Sequence, residues 1–312
     1  MVQENNINKI IVIAGPTASG KSALAVEVAK KTSGEVISAD SMQIYKTLDI
    51  GTAKVTTEEM DGIPHHLIDV CEVDSEFSVS DFVEKASEKI IEITKRGNTP
   101  IICGGTGLYI DSLLFKRSFG GTAKSEQLRE EYKQILQEKG NQYLYDMLAS
   151  VDKETADKFH INDVPRIIRA LEIYHLTGVK KSEMKEEKIP RYNFSAFYID
   201  AEREVLYQRI NSRVDKMVGE GLFEEFDSVF EKYPNCEEFS SMKAIGYREI
   251  FNLKKSIWTK EETIEKIKQF SRNYAKRQFT WFKNAGVCTA IPKELSISEK
   301  VDFVIQNYKN EQ

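Results

Sequence analysis

The strongest constraint in this chain is the string Gly15-Pro16-Thr17-Ala18-Ser19-Gly20-Lys21-Ser22, set between the β-branched run Lys9 to Ala14 and the helix-like stretch Ser22 to Lys31. It matches GxxxxGK[ST] in the strand, loop, helix setting that gives the motif its meaning. Such a loop closes backbone N–H groups around a di- or triphosphate. The helix start adds its dipole, Lys21 neutralises charge, and the Ser22 hydroxyl is placed to hold Mg²⁺. A strand buried on both faces and feeding a helix also implies a parallel sheet. The fold class expected is therefore α/β.

Two further strands deliver polar groups to the same sheet edge. Glu35 to Ala39 ends on Asp40-Ser41, which makes Asp40 either a base or metal-water ligand, or a cap for the turn that follows. Thr99 to Cys103 runs into Gly104-Gly105-Thr106-Gly107, where a hydrolytic P-loop protein would carry a Walker-B aspartate. The glycines predict close approach of a substrate to the backbone, with Thr106 offering a hydroxyl. Cys103 reads as a small buried filler. His65 and His66 are adjacent, so an extended chain points them to opposite faces and local hydrogen bonding is expected rather than a shared metal. Ser78 opens a long scaffold helix with a capping-box spacing to Asp81 and a stop at Gly97.

From about Gly121 to Tyr192 the strand-helix alternation gives way to charged helical patterns, Ser125 to Lys139, Asn141 to Ala149 and Asp163 to Leu176. A helical insertion over 121–192 in a core formed by 1–120 and 193–312 is expected. Arg166 and Arg169 share one helix face, which either grips phosphates or is simply solvated. Phe194 to Ile199 returns the chain to the sheet. Arg209 and Arg213, at i, i+4 on the helix Glu202 to Val218, reach either a diphosphate or neighbouring carboxylates.

The 312 residues, 41% hydrophobic, suffice for a sizeable core, and a formal net charge of −5 argues against indiscriminate coating of nucleic acid. That charge is unevenly distributed. Ile264 to Asn284 carries six basic residues against the single acid Glu265, a local +5, with Phe270, Tyr274, Phe279, Trp281 and Phe282 between them. This suits either an RNA surface with stacking platforms or an amphipathic helix packed through its aromatics. Four scattered cysteines without a CxxC pair indicate neither a disulfide framework nor a zinc site. Ile10 to Ala14 is too short for a membrane span or signal-peptide core, so a cytoplasmic protein without a membrane partner is expected.

Taken in order, GPTASGKS (15–22), DSMQIYKTLDIGTAK (40–54), PHHLIDV (64–70), GGTGLY (104–109), HINDVPRIIRALE (160–172), KAIGYRE (243–249) and KRQFTWFK (276–283) resemble the tRNA dimethylallyltransferase (isopentenyltransferase) family over about residues 9 to 284. The resemblance implies a P-loop NTPase-like core and transfer of a dimethylallyl group from dimethylallyl diphosphate to N6 of the adenosine 3′ of a tRNA anticodon. It also explains a phosphate loop without its hydrolytic companion, since the leaving group is diphosphate. The implied roles follow residue by residue. Asp40 is the base and Thr106 contacts the target nucleotide. Gly15, Pro16, Thr17, Ala18, Ser19, Gly20, Lys21, Ser22 and Arg213 receive diphosphate, with Mg²⁺ at Ser22. The tRNA contacts implied are Asp40, Ser41, Met42 and Gln43; Arg129, lining a substrate passage; Pro165, Arg166, Ile167, Ile168 and Arg169; Lys243, Gly246, Tyr247 and Arg248; and Lys276, Arg277, Gln278, Phe279, Thr280, Trp281, Phe282 and Lys283. Gln43 either reads a base edge or packs its loop. No obligatory protein partner is implied, and a monomer suffices for one anticodon loop. A P-loop kinase of a nucleoside or small alcohol is the main alternative, and a non-catalytic RNA-binding module a further one that leaves the complete phosphate loop unexplained.

Overall fold

The computed structural model describes residues 9–116, 125–184 and 188–310. Strand β1 (Ile10–Ala14) is buried throughout: Ile10, Val12 and Ala14 enter one apolar layer, Ile11 and Ile13 the other. This is the period-two alternation of a strand covered on both faces. The chain continues through α1 (Lys21–Thr32), β2 (Gly34–Ser38), α2 (Thr57–Met60), β3 (His65–His66), α3 (Val79–Lys95), β4 (Thr99–Gly104), α4 (Gly107–Leu114) and the short β5 (Phe115–Lys116). The Ser78–Asp81 capping box starts α3, and Gly97 follows its end at φ 80°.

A second compact unit, Lys116–Ile189, is helical. It comprises α5 (Glu126–Val151), α6 (Lys153–Ala156) and α7 (Val164–Thr177), and leads into the two-residue β6 (Ile189–Pro190). The two helices expected over 125–149 form one element broken at Gly140, whose φ of 77° and ψ of 176° interrupt the ladder. Leu128, Tyr132, Leu144 and Leu148 of α5 share a core with Ile167 and Leu171 of α7. By its contacts this unit spans Lys116 to Ile189, against the expected 121–192. The segment 117–124, which holds the expected boundary, lies outside the described residues. Asp163 precedes α7 but makes no side-chain cap; its carboxylate instead accepts from Arg166 Nη1 at 3.1 Å.

The first unit resumes with β7 (Phe194–Ile199), α8 (Arg203–Gly219), α9 (Leu222–Lys232), α10 (Tyr247–Lys254), α11 (Lys260–Asn284), β8 (Thr289–Ile291) and α12 (Ile297–Asn310). Six strands form a parallel sheet in the order β3-β2-β4-β1-β7-β8. One face is covered by α3, α4 and the fully buried Phe282 of α11, the other by α1 and α12. Because β4 lies between β1 and β2, the loops leaving the carboxyl ends of these strands meet at one edge, where α/β sheets hold ligands.

Candidate active site

The phosphate loop is shaped by its backbone. Gly20 sits in the left-handed region at φ 87°, which glycine adopts without strain, and no side chain caps the first turn of α1. Its leading N–H groups are thus left for an anion. Ser19 Oγ, buried beside them, has no hydrogen-bond partner among the described residues, an expensive arrangement unless a ligand supplies one. Lys21 Nζ donates to Pro16 O at 3.3 Å. Burial pulls the Lys21 pKa down and so does the nearby Arg213, while the Asp40 carboxylate partly offsets both.

A cavity of about 1100 Å³ opens over this loop, lined among others by Lys21, Ser22, Asp40, Gln43 and Arg213. Arg213 of α8 donates to Thr17 Oγ1 at 3.0 Å and to Ala53 O at 3.1 Å, both neutral acceptors. Arg213 makes no hydrogen bond to a carboxylate among the described residues. Asp40 caps the turn that follows it: Oδ1 accepts from the N–H groups of Met42 (2.9 Å) and Gln43 (3.4 Å), while Oδ2 has no hydrogen bond among the described residues. One oxygen fixes the turn and the other is available for chemistry. The Thr106 hydroxyl accepts from Ser41 N–H at 3.2 Å, tying the end of β4 to the Asp40 turn. Cys103 is buried, and desolvation pushes its thiol up to about 11, in keeping with a filler.

The cavity wall 49–54 is held by a residue that no local pattern signals. Glu225 of α9 accepts from the N–H groups of Asp49 and Ile50 at 2.8 Å each and of Gly51 at 3.0 Å, and from the Tyr247 hydroxyl at 2.5 Å. Gln43 Nε2 adds a bond to Ala53 O at 3.1 Å. Gly51 must be glycine, because a Cβ there would lie 2.5 Å from the Tyr247 ring.

The family model described as IPP transferase matches residues 43–285. The chain belongs to the IPP transferase family. A tRNA dimethylallyltransferase of Thermoanaerobacter sp. (strain X514) is 50% identical over 280 residues, covering 88% of this chain and 89% of the relative. The full-length tRNA isopentenylpyrophosphate transferase of Bacillus halodurans is 40% identical with a TM-score of 0.73, covering 97% of each chain. A eukaryotic dimethylallyltransferase, solved in crystallographic snapshots of its action on tRNA, is 32% identical with a TM-score of 0.76 over 91% of this chain and 73% of that one. The core of the IPP transferase chain is accordingly P-loop NTPase-like, and the kinase alternative is not favoured.

Several residues with an expected RNA or substrate role are buried or engaged within the protein. Ile167, Tyr247 and Phe282 are fully buried and Gln278 nearly so; they belong to the packing. Arg129, expected along a substrate passage, is engaged bidentately with Glu172 at 3.0 and 3.1 Å, and Arg169 Nη1 joins the same carboxylate at 2.5 Å. Glu172 has no exposure; burial raises its pKa, but these arginines and the Ser125 N–H outweigh that and leave the carboxyl below its ordinary range. The glycines of 104–107 are required by close packing within the protein. Added Cβ atoms would meet Ala39 O at 2.2 Å from Gly104, Gln278 Nε2 at 2.2 Å from Gly105 and the Trp281 ring at 2.4 Å from Gly107. Pro165, Arg166, Lys243, Arg248, Lys276, Arg277, Thr280 and Lys283 are exposed, while Ser41, Met42, Ile168, Phe279 and Trp281 are half-buried. His65 and His66 bond locally, to Ile63 O and Glu35, and no metal-holding cluster of His, Cys, Asp or Glu occurs among the described residues.

Proposed function

We propose that this chain is a tRNA dimethylallyltransferase that moves the dimethylallyl group of dimethylallyl diphosphate to N6 of the adenosine immediately 3′ of the anticodon and releases diphosphate. The observation that carries this reading is the juxtaposition, in one cavity, of a phosphate loop with an acid whose second oxygen is unengaged, beside a β4 edge that ends in Gly104-Gly105-Thr106 rather than in a hydrolytic carboxylate. Adenine N6 is a weak nucleophile, so it needs alignment with the allylic carbon and a base for the proton it sheds. Asp40 Oδ2 takes that proton as the N6–C1 bond forms. The C1–O bond breaks with its electron pair passing to the diphosphate, whose charge meets Lys21, Arg213 and the N–H groups at the start of α1. Thr106 holds the Asp40 turn against the acceptor side.

The hydroxyl of Ser22 is a hard oxygen donor lining the cavity, and Ser19 Oγ, buried without a hydrogen-bond partner among the described residues, lies in the same loop. Such donors suit Mg²⁺, which binds through few protein oxygens together with substrate phosphates. Bound there with diphosphate, the ion would stabilise the departing charge. The anticodon loop docks on the exposed basic groups of α11, Lys276, Arg277 and Lys283, with the target adenosine turned out of its stack. No helix among the described residues is long and apolar enough to cross a membrane. We place the enzyme in the cytoplasm, acting as a monomer without an obligatory protein partner.

Incubation with dimethylallyl diphosphate, Mg²⁺ and unmodified tRNA, followed by nucleoside mass analysis, tests the reading. A mass gain of one dimethylallyl group on adenosine is expected. Phosphate transfer from ATP to a small acceptor, with no modified adenosine, would overturn it.

A further inference from the structure

The family resemblance implies an RNA contact for Gln278, yet the residue is 6% exposed and lies inside the core unit. Its Oε1 accepts the Thr17 N–H at 2.9 Å, and its Nε2 donates to Gly105 O at 2.9 Å. The two partners fix the orientation of the amide: an N–H requires the oxygen and a carbonyl requires the nitrogen. Thr17 belongs to the phosphate loop and Gly105 to the edge that follows β4. These two backbones abut, since a Cβ on Gly105 would lie 3.3 Å from Gly15 O. Thr17 is tied a second time through its hydroxyl to Arg213. Three residues further along α11, Trp281 packs on Gly107. One face of α11 therefore grips the turn that carries Thr106.

We propose that Gln278 is a positioning residue for the transfer, not an RNA contact: its amide fixes the separation of the phosphate loop from the Gly105 edge, and with it the separation of leaving group from acceptor amine. This rests on the function proposed above. A neutral side chain with one acceptor and one donor is required. A hydrocarbon strands both backbone groups, and a carboxylate serves the Thr17 N–H but turns negative charge on the Gly105 carbonyl. Protonating that carboxyl restores the donor.

The full-length enzyme and its Gln278→Leu and Gln278→Glu variants would be compared by steady-state transfer, tRNA binding as a function of salt, and thermal melting. In Q278L, kcat should fall about 10- to 100-fold from misplacement of the reacting groups, with tRNA affinity and its salt slope unchanged. In Q278E, activity relative to wild type should rise as pH falls between about 8 and 5, because a carboxyl buried against a carbonyl titrates above its ordinary value. Weakened tRNA binding with unchanged kcat would overturn the proposal, as would a pH-independent ratio for Q278E. A kcat loss that merely follows loss of folded protein would also overturn it. Calorimetry with inorganic diphosphate and Mg²⁺ separates the two readings. Wild type that binds diphosphate but modifies no adenosine defeats the proposed function. The clasp then stands or falls on whether Q278L binds diphosphate about tenfold more weakly.

Discussion

Arg213 of the core unit and Arg129 of the helical unit are both partly buried arginines on amphipathic helices, and the family resemblance implies a substrate-facing role for each. Their surroundings separate them. Among the described residues Arg213 donates to a hydroxyl and a carbonyl and to no carboxylate, so its charge still faces the cavity beside Lys21. Arg129 lies along a fully buried carboxylate that Arg169 also contacts. A desolvated cation without an acidic hydrogen-bond partner is destabilising in isolation and gains when an anion arrives. A cation paired with buried Glu172 offsets a charge that the fold itself placed there, and removing it leaves that charge exposed to the apolar interior. The contrast distinguishes ligand machinery from scaffold by partner chemistry rather than by residue type.

The sharpest break of this comparison is at the acid facing the cations. Asp40→Asn keeps the turn, because an amide oxygen still accepts the Met42 N–H, but it removes the proton acceptor. Transfer should slow about 10²- to 10⁴-fold with tRNA affinity intact, as read by nucleoside mass analysis and filter binding. Tight binding with full turnover would remove Asp40 from the chemistry. Lys21→Met should lower kcat about 10²- to 10³-fold, yet leave the melting temperature unchanged or slightly higher, since it deletes a desolvated charge. Arg129→Ala should do the reverse: a loss of roughly 1–3 kcal/mol of stability in denaturant titrations, limited because Arg169 remains, with turnover per folded molecule preserved. If Lys21→Met unfolds the protein and Arg129→Ala abolishes transfer, the assignment of the two clusters is inverted.

Two smaller effects sharpen it. Replacing Lys276 and Arg277 by Ala should weaken tRNA binding and flatten its dependence on log salt by about 1 to 2, because both side chains are exposed. An unchanged slope would move the RNA surface elsewhere. Glu35 is a scaffold carboxylate of the core unit, hydrogen-bonded by Arg96, Asn98 and His66, and these partners, Arg96 foremost, hold its pKa at about 2 against the ordinary 4.5. Since the folded form binds the proton less readily than the unfolded chain, Glu35 stabilises the fold fully above pH 4.5 and loses that contribution as pH falls toward 2. Acid titration of the melting temperature should show this loss, of roughly 1–3 kcal/mol, and Glu35→Gln should remove it from the titration curve.

The sequence by itself determined whatever depends on residues close together in the chain. The phosphate loop, the strands 194–199 and 99–104, the cap at Ser78 and the helix Lys260–Asn284 each follow from local spacing, propensity and capping, and the ordered motifs fixed the family. Strand β8 and helix α12 lay beyond the legible motifs; they acquire meaning only by pairing with β7 and covering α1. What the tertiary structure alone decided is the identity of partners. Glu225 reaches a backbone 174 residues away, and Gln278 spans 261 residues to Thr17. Arg129 meets Glu172 only once α5 and α7 pack. Hydrogen bonds and ion pairs act over a few ångströms of space, so the role of a charged or amide side chain is set by what the fold brings beside it, whereas the shape of a loop or helix is set by its own neighbours in sequence.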